Sequence, residues 1–166
     1  MKIDITDLFK KKVSKKEVHL VYEEENFHDD GELIQFLKPI TLDGELSVTG
    51  DIINLDFDIS TVVNLSCSRC LVNFSHNVVI HAHEKFSNNS DNKDDEIIFI
   101  DGDTIDITNI VKNNIILSLP FKKLCKDDCK GLCQNCGGNL NTTSCHCKED
   151  DIDPRLAKLK DLFSAD

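Results

Sequence analysis

Eight cysteines in four close pairs constrain this chain more than any other feature. They are Cys67 and Cys70, Cys125 and Cys129, Cys133 and Cys136, and Cys145 and Cys147: two CxxC units, a CxxxC and a CxC. The opening MKIDITDLFKKK has no apolar stretch of the kind an export signal needs. The chain is therefore expected in a reducing cytoplasm, where structural disulfides rarely persist. Eight thiols in that setting read as metal ligands before they read as four bridges.

Zinc takes four ligands at tetrahedral geometry, and soft thiolates suit it. Cys133-Gln-Asn-Cys136-Gly-Gly has the form of a zinc knuckle, and Cys145-His-Cys147 supplies a second pair only eight residues further on. Cys67/Cys70 and Cys125/Cys129 then make a second set of four, tying the Cys-rich segment to the sheet across 54 intervening residues. The alternative joins the two CxxC units, Cys67/Cys70 with Cys133/Cys136, as in a zinc ribbon. The local pairing is favoured because it asks less loop closure of the second ion. The expected cofactor is one or two structural Zn²⁺, since a closed four-thiolate site leaves no open coordination position. Eight thiolates and two Zn²⁺ would lower the formal charge of −11 by eight and raise it by four, to −15. Two other readings stand beside zinc. One is a redox CxxC, but Cys67/Cys70 lies between two strands rather than at the start of a helix in a βαβ unit. The other is eight plain thiols, hard to bury among so many polar neighbours.

The rest of the chain predicts an α+β domain, mainly antiparallel sheet. At 166 residues with 40% apolar content it can bury one core. No apolar run reaches the ~18 residues of a membrane span. Apolar residues alternate through Ile53, Leu55, Phe57, Ile59, Thr61, Val63, Leu65 and Cys67, then again through Cys70, Val72, Phe74, Val78, Ile80 and Ala82. This predicts a long 52–84 hairpin with the two cysteines at its tip, both turned to its apolar side. Shorter strands are expected at 17–22, 40–48 (broken by a turn at Asp43-Gly44) and 96–100, with an acidic, turn-rich stretch at 23–31 and a polar loop at 87–96. Ile107, Ile110, Val111, Ile115 and Leu119 predict a helix near 106–119, with Thr108 as N-cap. Asp153-Pro154 opens a short terminal helix. The expected divisions are a sheet domain over 1–120, a Cys-rich zinc-binding segment over 121–150 packed on it, and a tail over 151–166.

Other candidates carry less chemistry. Lysines 2, 10, 11, 12, 15 and 16 make the start basic, fit for RNA phosphate or simply solvated. Lys122, Lys123, Lys126 and Lys130 flank Cys125 and Cys129, diluted by Asp127 and Asp128. Arg69, between the tip cysteines, offers a planar fork to phosphate or carboxylate, or balances thiolate charge. His81 and His83 share the polar face of their strand and are expected as exposed surface residues, and His146 could stand in for a flanking cysteine. There is no phosphate loop, no Ser/His/Asp arrangement and no acid/base carboxylate pair, so no enzyme or small-molecule substrate is expected.

Taken in order, Cys67-Ser-Arg-Cys70-Leu, Glu84-Lys-Phe86, Asp106-Ile-Thr, Ile116-Leu-Ser-Leu-Pro120, the block from Cys125 through Gly131-Leu-Cys133-x-x-Cys136-Gly-x-Asn139-Leu-Asn141, and Asp153-Pro-Arg-Leu-Ala-Lys-Leu159 resemble the YceD family of bacteria and plastids, the large ribosomal RNA subunit accumulation proteins. The resemblance implies a role in synthesis, processing or accumulation of large-subunit (23S) ribosomal RNA, and the residues as read above make that role a non-catalytic one. Such proteins are often encoded beside a large-subunit ribosomal protein. Some relatives keep the hairpin CxxC and the 125–129 positions yet lack the Gly-Leu-Cys block, which supports pairing Cys67/Cys70 with Cys125/Cys129. Two partner classes follow: large-subunit RNA or its precursor, gripped by a local basic patch, or a basic ribosomal protein or processing enzyme, drawn by the acidic surface.

Overall fold

The computed structural model describes residues 1–10, 13–29, 32–89 and 96–147. The chain divides into two compact units. One holds Met1–Ser68 and Val72–Cys125; the other holds Arg69–Leu71 and the chain from Lys126 onward.

The first unit is mainly antiparallel sheet with few helices. Its strands are β1 (Lys2–Asp4), β2 (Lys15–Tyr22), β3 (Phe27–Asp29), β4 (Glu32–Phe36), β5 (Ile40–Thr49), β6 (Ile52–Ser66), β7 (Asn73–Ser87), β8 (Ile97–Phe99) and β9 (Thr104–Asp106). Its helices are α1 (Thr6–Phe9) and α2 (Thr108–Ser118). β6 is the spine. One flank pairs with β5 from Ile52 to Ser60 and then with β4 at Val63 and Asn64. The other pairs with β7 along its full length, from Ser66 opposite Asn73 to Ile52 opposite Ser87. β2 extends the sheet beyond β5, β3 beyond β4, and β8 runs parallel to the end of β7. β1 and β9 form a separate two-stranded pair.

The alternation fixes the buried face. All eight alternating residues from Ile53 to Cys67 are buried, and their polar neighbours face out or lie half-buried. Each fully buried Leu, Ile or Phe stabilises by roughly 1.5–3 kcal/mol. α2 covers part of this face with Val111 and Ile115, both buried. Its pattern was legible; its cap was not. Thr108 is the first helical residue, and the carboxylate of Asp106 accepts its backbone N–H at 3.0 Å and its hydroxyl at 2.7 Å. These bonds, with the amine of Met1, hold the Asp106 carboxyl down at about 2.

Three further expectations are corrected. Asp43-Gly44 is no turn, because β5 runs straight through it. Gly44 is there for space: a Cβ would lie 2.5 Å from the carbonyl oxygen of Asp56 and 2.7 Å from Cβ of Phe57, the facing residues of β6. The 23–31 stretch contains β3, whose Phe27 packs on Phe36 at 5.9 Å between ring centroids. The lysine-rich start is also a structural element: Ile3, Ile5 and Leu8 are buried in the core, and Lys16 donates to the carbonyl of Asp4 at 2.7 Å. The terminal helix expected from Asp153-Pro154 lies outside the described residues, as does most of the 87–96 loop.

Replacing Gly44 by Ala is expected to destabilise the domain by about 1–3 kcal/mol, read as a lower urea midpoint at unchanged slope. A second prediction concerns acid. The Asp106 carboxyl is depressed, so its stabilising contribution is present above its ordinary 3.8 and lost as pH falls through about 2. Asp106→Asn should remove that segment of the stability–pH curve and lower stability near neutrality, as measured by thermal melts at stepped pH.

Candidate metal centres

All eight cysteines are described, and none is disulfide-bonded. Their sulfurs fall into two groups of four. Cys67, Cys70, Cys125 and Cys129 make one; Cys133, Cys136, Cys145 and Cys147 make the other. Within each group every Sγ lies within 4.8 Å of the other three. In the second group Cys133 and Cys145 are 3.3 Å apart and Cys136 and Cys145 3.6 Å apart. A tetrahedron with Zn–S arms of ~2.3 Å has edges of about 3.8 Å, so the donor set fits a tetrahedral thiolate-bound ion. The thiols do not group as a zinc ribbon would.

Each CxxC unit is a tight turn closed in the same way. In the hairpin tip, Cys67 donates its backbone N–H to the carbonyl of Val72 at 3.0 Å. In the second turn, Gly137 donates to the carbonyl of Cys133, and Cys133 to that of Gly138, both at 2.9 Å. The residue after the second cysteine has a left-handed backbone in both: φ is +59° at Leu71 and +70° at Gly137. Glycine adopts this region freely, whereas leucine is strained there by about 1–2 kcal/mol. Leu71 is the one non-glycine residue of positive φ among those described. The turn is therefore imposed on Leu71 by the position of its cysteines.

Burial differs between the groups. Cys67, Cys70 and Cys129 are buried and Cys125 half-buried, whereas Cys136 and Cys147 are exposed. In the exposed group the sulfurs compete for protons. The Cys133 thiol is pulled down to about 6, chiefly by the backbone N–H groups of Cys136 and Asn135 aimed at its sulfur. The Cys147 thiol is pushed up to about 12 by the sulfurs of Cys145 and Cys136 beside it. Four crowded thiols cannot all ionise alone; a divalent cation removes the repulsion that keeps them protonated.

Around the sulfurs the Cys-rich segment is built from turns and one isolated bridge, Leu132 to Asn139. Asn141 is a residue that spacing did not single out. Its amide donates to Sγ of Cys129 at 3.4 Å and to Oδ1 of Asn139 at 2.8 Å, and its Oδ1 accepts the backbone N–H of Lys130 at 2.9 Å. An N–H aimed at a ligand sulfur disperses thiolate charge, the task of a ligand's outer partner. Its only sequence signal was its place in the Asn139-Leu-Asn141 run. Gly131, at φ +77°, brings the chain against Arg69: Leu132 donates to the Arg69 carbonyl at 3.2 Å, and a Cβ on Gly131 would lie 3.2 Å from that oxygen.

The candidate contact residues are placed individually. Arg69 is exposed, and Nη1 donates to the carbonyl of Cys129 at 2.8 Å, so its guanidinium plane is anchored. Lys122, Lys126 and Lys130 are exposed and Lys123 is half-buried; Lys126 pairs with Asp128 at 3.6 Å. His81 and His83 are exposed and bond Asp58 and Asp56 across the β6–β7 pair, at 2.9 and 2.6 Å. Among the described residues no helix is long and apolar enough to cross a membrane.

A family profile described as "Large ribosomal RNA subunit accumulation protein YceD" matches residues 55–163, from the middle of β6 through the whole Cys-rich region. The chain belongs to the YceD family. It is 33% identical over 136 residues to the uncharacterized protein YlbN of Bacillus subtilis, covering 80% of this chain and 79% of that one. An uncharacterized protein of Mycobacterium tuberculosis H37Rv is 32% identical over 102 residues, 58% of this chain and 49% of its own length. The YceD-family protein of Zea mays named "Large ribosomal RNA subunit accumulation protein YCED homolog 1, chloroplastic" is 42% identical over 72 residues, 42% of this chain and 24% of that one. This chain thus spans about half of the Mycobacterium tuberculosis protein and about a quarter of the maize protein. No solved structure matches.

Metal analysis supplies the test of these centres. The zinc-reconstituted protein is expected to hold two ions, and Cys147→Ser to hold one with the hairpin group still filled. Loading the metal-free chain should release protons into a weak buffer, because Cys145 and Cys147 enter the site protonated.

Proposed function

We propose that this chain is a non-catalytic ribosome biogenesis factor that supports accumulation of large-subunit ribosomal RNA in the cytoplasm, with two structural zinc ions. The observation that carries the reading is the conjunction of YceD family membership with eight thiols gathered into two closed groups of four. In this reading residues 1–120 are the sheet domain, 121–150 the zinc-binding segment and 151–166 a tail. Cys67, Cys70, Cys125 and Cys129 hold one ion; Cys133, Cys136, Cys145 and Cys147 hold the other. All four positions on each ion are filled by sulfur, which leaves none for substrate or activated water. Zinc here is a fold element.

RNA contact falls to Arg69 and to Lys122, Lys123, Lys126 and Lys130. The anchored guanidinium of Arg69 supports this assignment, because a held fork loses little freedom on meeting phosphate. A second reading has its own support. At −11 the chain repels RNA in general, and Asp43, Glu45, Asp56 and Asp58 stand together on the outward faces of β5 and β6. Such a surface favours a basic partner, so the alternative is an acidic adaptor or chaperone for a ribosomal protein or a processing enzyme. A redox role is disfavoured, since filling the hairpin site with zinc would consume the thiols it needs.

The deciding experiment is a crosslinked pull-down of the tagged protein from growing cells, with and without RNase. Enrichment of large-subunit over small-subunit RNA, reduced in Arg69→Ala and weakening steeply with salt, is the expected result for direct binding. A basic ribosomal protein or nuclease retained after RNase would move the assignment to the adaptor. Absence of both would overturn the proposal.

A further inference from the structure

Among the described residues the sheet has two long open edges, and they are built differently. β2 is eight residues long and carries Lys15, Lys16 and Glu17 in succession, with Lys15 bonded to Glu45 at 2.6 Å. Charged residues on an edge, lysine above all, are the usual guard against unwanted strand pairing. β7 has no such guard. Its inner flank is paired to β6 throughout, but its outer flank is paired only from Lys85 to Ser87, with β8. From Asn73 to Glu84 no strand among the described residues lies on that side. This stretch, NFSHNVVIHAHE, contains no Lys, Arg, Pro or Gly. Its register with β6 runs without a bulge. It is about twice the length of an average strand. At its centre Val78-Val79-Ile80 is β-branched on both faces, and Val79 is 78% exposed.

We propose that this edge is a self-association surface, on which Phe74–Glu84 pairs antiparallel with the same segment of a second copy about a two-fold axis at Val79. The pattern complements itself in that register. Val79 faces Val79 of the second copy, Val78 faces Ile80, and Asn77 faces His81, so apolar groups meet at the axis and no two like charges oppose each other. Charge placement also favours a second copy over a basic peptide. The carboxylates of the outward face sit on β5 and β6, while His81 and His83 on β7 stand between them and the edge, bonded to Asp58 and Asp56. A basic strand would find its counter-charges one and two strands inward. A second copy pairing along β7 would hold the two β6 carboxylate columns three strand spacings apart, about 14 Å at ~4.8 Å per strand. That exceeds the screening length of ~8 Å at physiological salt, so the two acidic faces would repel only weakly.

Sedimentation equilibrium of the zinc-loaded full chain over a concentration series, with hydrogen exchange on the same samples, tests this. The expected result is a monomer–dimer equilibrium, with exchange between Phe74 and Glu84 slowing as concentration rises. Val79→Lys sets two ammonium groups against each other at the axis and should weaken the dimer by more than about tenfold, with an unchanged thermal midpoint at concentrations where both proteins are monomeric. Should that variant fold poorly, Asn77→Lys at a neighbouring exposed position gives the same reading. A monomer at every concentration with fast exchange along β7 overturns the proposal. So does a dimer that both lysine variants leave intact. Slow exchange in a chain that stays monomeric also overturns it, because the chain would then cover its own edge.

Discussion

The unbroken ladder between β6 and β7 sets almost everything else in the larger unit. Fifteen residues of each strand pair in one register, and the period of two sends each residue to one face or the other with no freedom to slip. A slip by one residue would turn Leu55, Phe57 and Ile59 to water and Asp56 and Asp58 into the core. That penalty pins the register over the full length of the hairpin. Its tip is thereby pinned too: Cys67 is buried because it continues the apolar column of β6, whereas Cys70 is buried beyond the end of β7, separated from it by left-handed Leu71 and exposed Val72.

At the cysteines a different force takes over. The sheet is held by burial, whereas the turn after each CxxC is held by what the sulfurs require. The same left-handed backbone follows Cys70 and Cys136, although one position is leucine and the other glycine. The second group shows the complementary problem: sulfurs 3.3–3.6 Å apart push protons onto one another, crowding of the kind that a divalent cation would relieve.

Electrostatics organises the outward face of the sheet. Asp43 stands directly opposite Asp58, and Glu45 opposite Asp56, a like-charge block across the two central strands. Such pairs cost stability on their own. Histidines on both sides soften the cost: His19 bonds Asp43 from β2, while His81 and His83 bond Asp58 and Asp56 from β7. Four carboxylates thus stand together at the centre of the face, bordered by three histidine rings hydrogen-bonded to three of them.

Much of this was legible in the residues. The alternation from Ile53 to Cys67 defined the central strand and its buried face, because period two has no other structural meaning over so long a run. The spacing of the cysteines favoured one local group of four, Cys133 and Cys136 with Cys145 and Cys147, because a short segment closes at little entropic cost, and it left the hairpin pair to Cys125 and Cys129. What the sequence could not decide were contacts between residues far apart in the chain. Gly44 reads locally as a turn; it is a strand residue because Phe57 and the carbonyl of Asp56 occupy the space its side chain would need. Thr108 reads as a helix cap; it is the first helical residue, with Ile107 at the cap position and the Asp106 carboxylate accepting the Thr108 N–H and hydroxyl. The lysines of the first sixteen residues hide the buried triplet Ile3, Ile5 and Leu8. Asn141 carries no periodic signal, and its position on the sulfur of Cys129 exists only once the segment is folded. Local pattern determines which face a strand buries, since that depends on one chain's own periodicity. Which atoms crowd, cap or bond a given residue depends on neighbours from elsewhere in the chain, and only the tertiary structure supplies them.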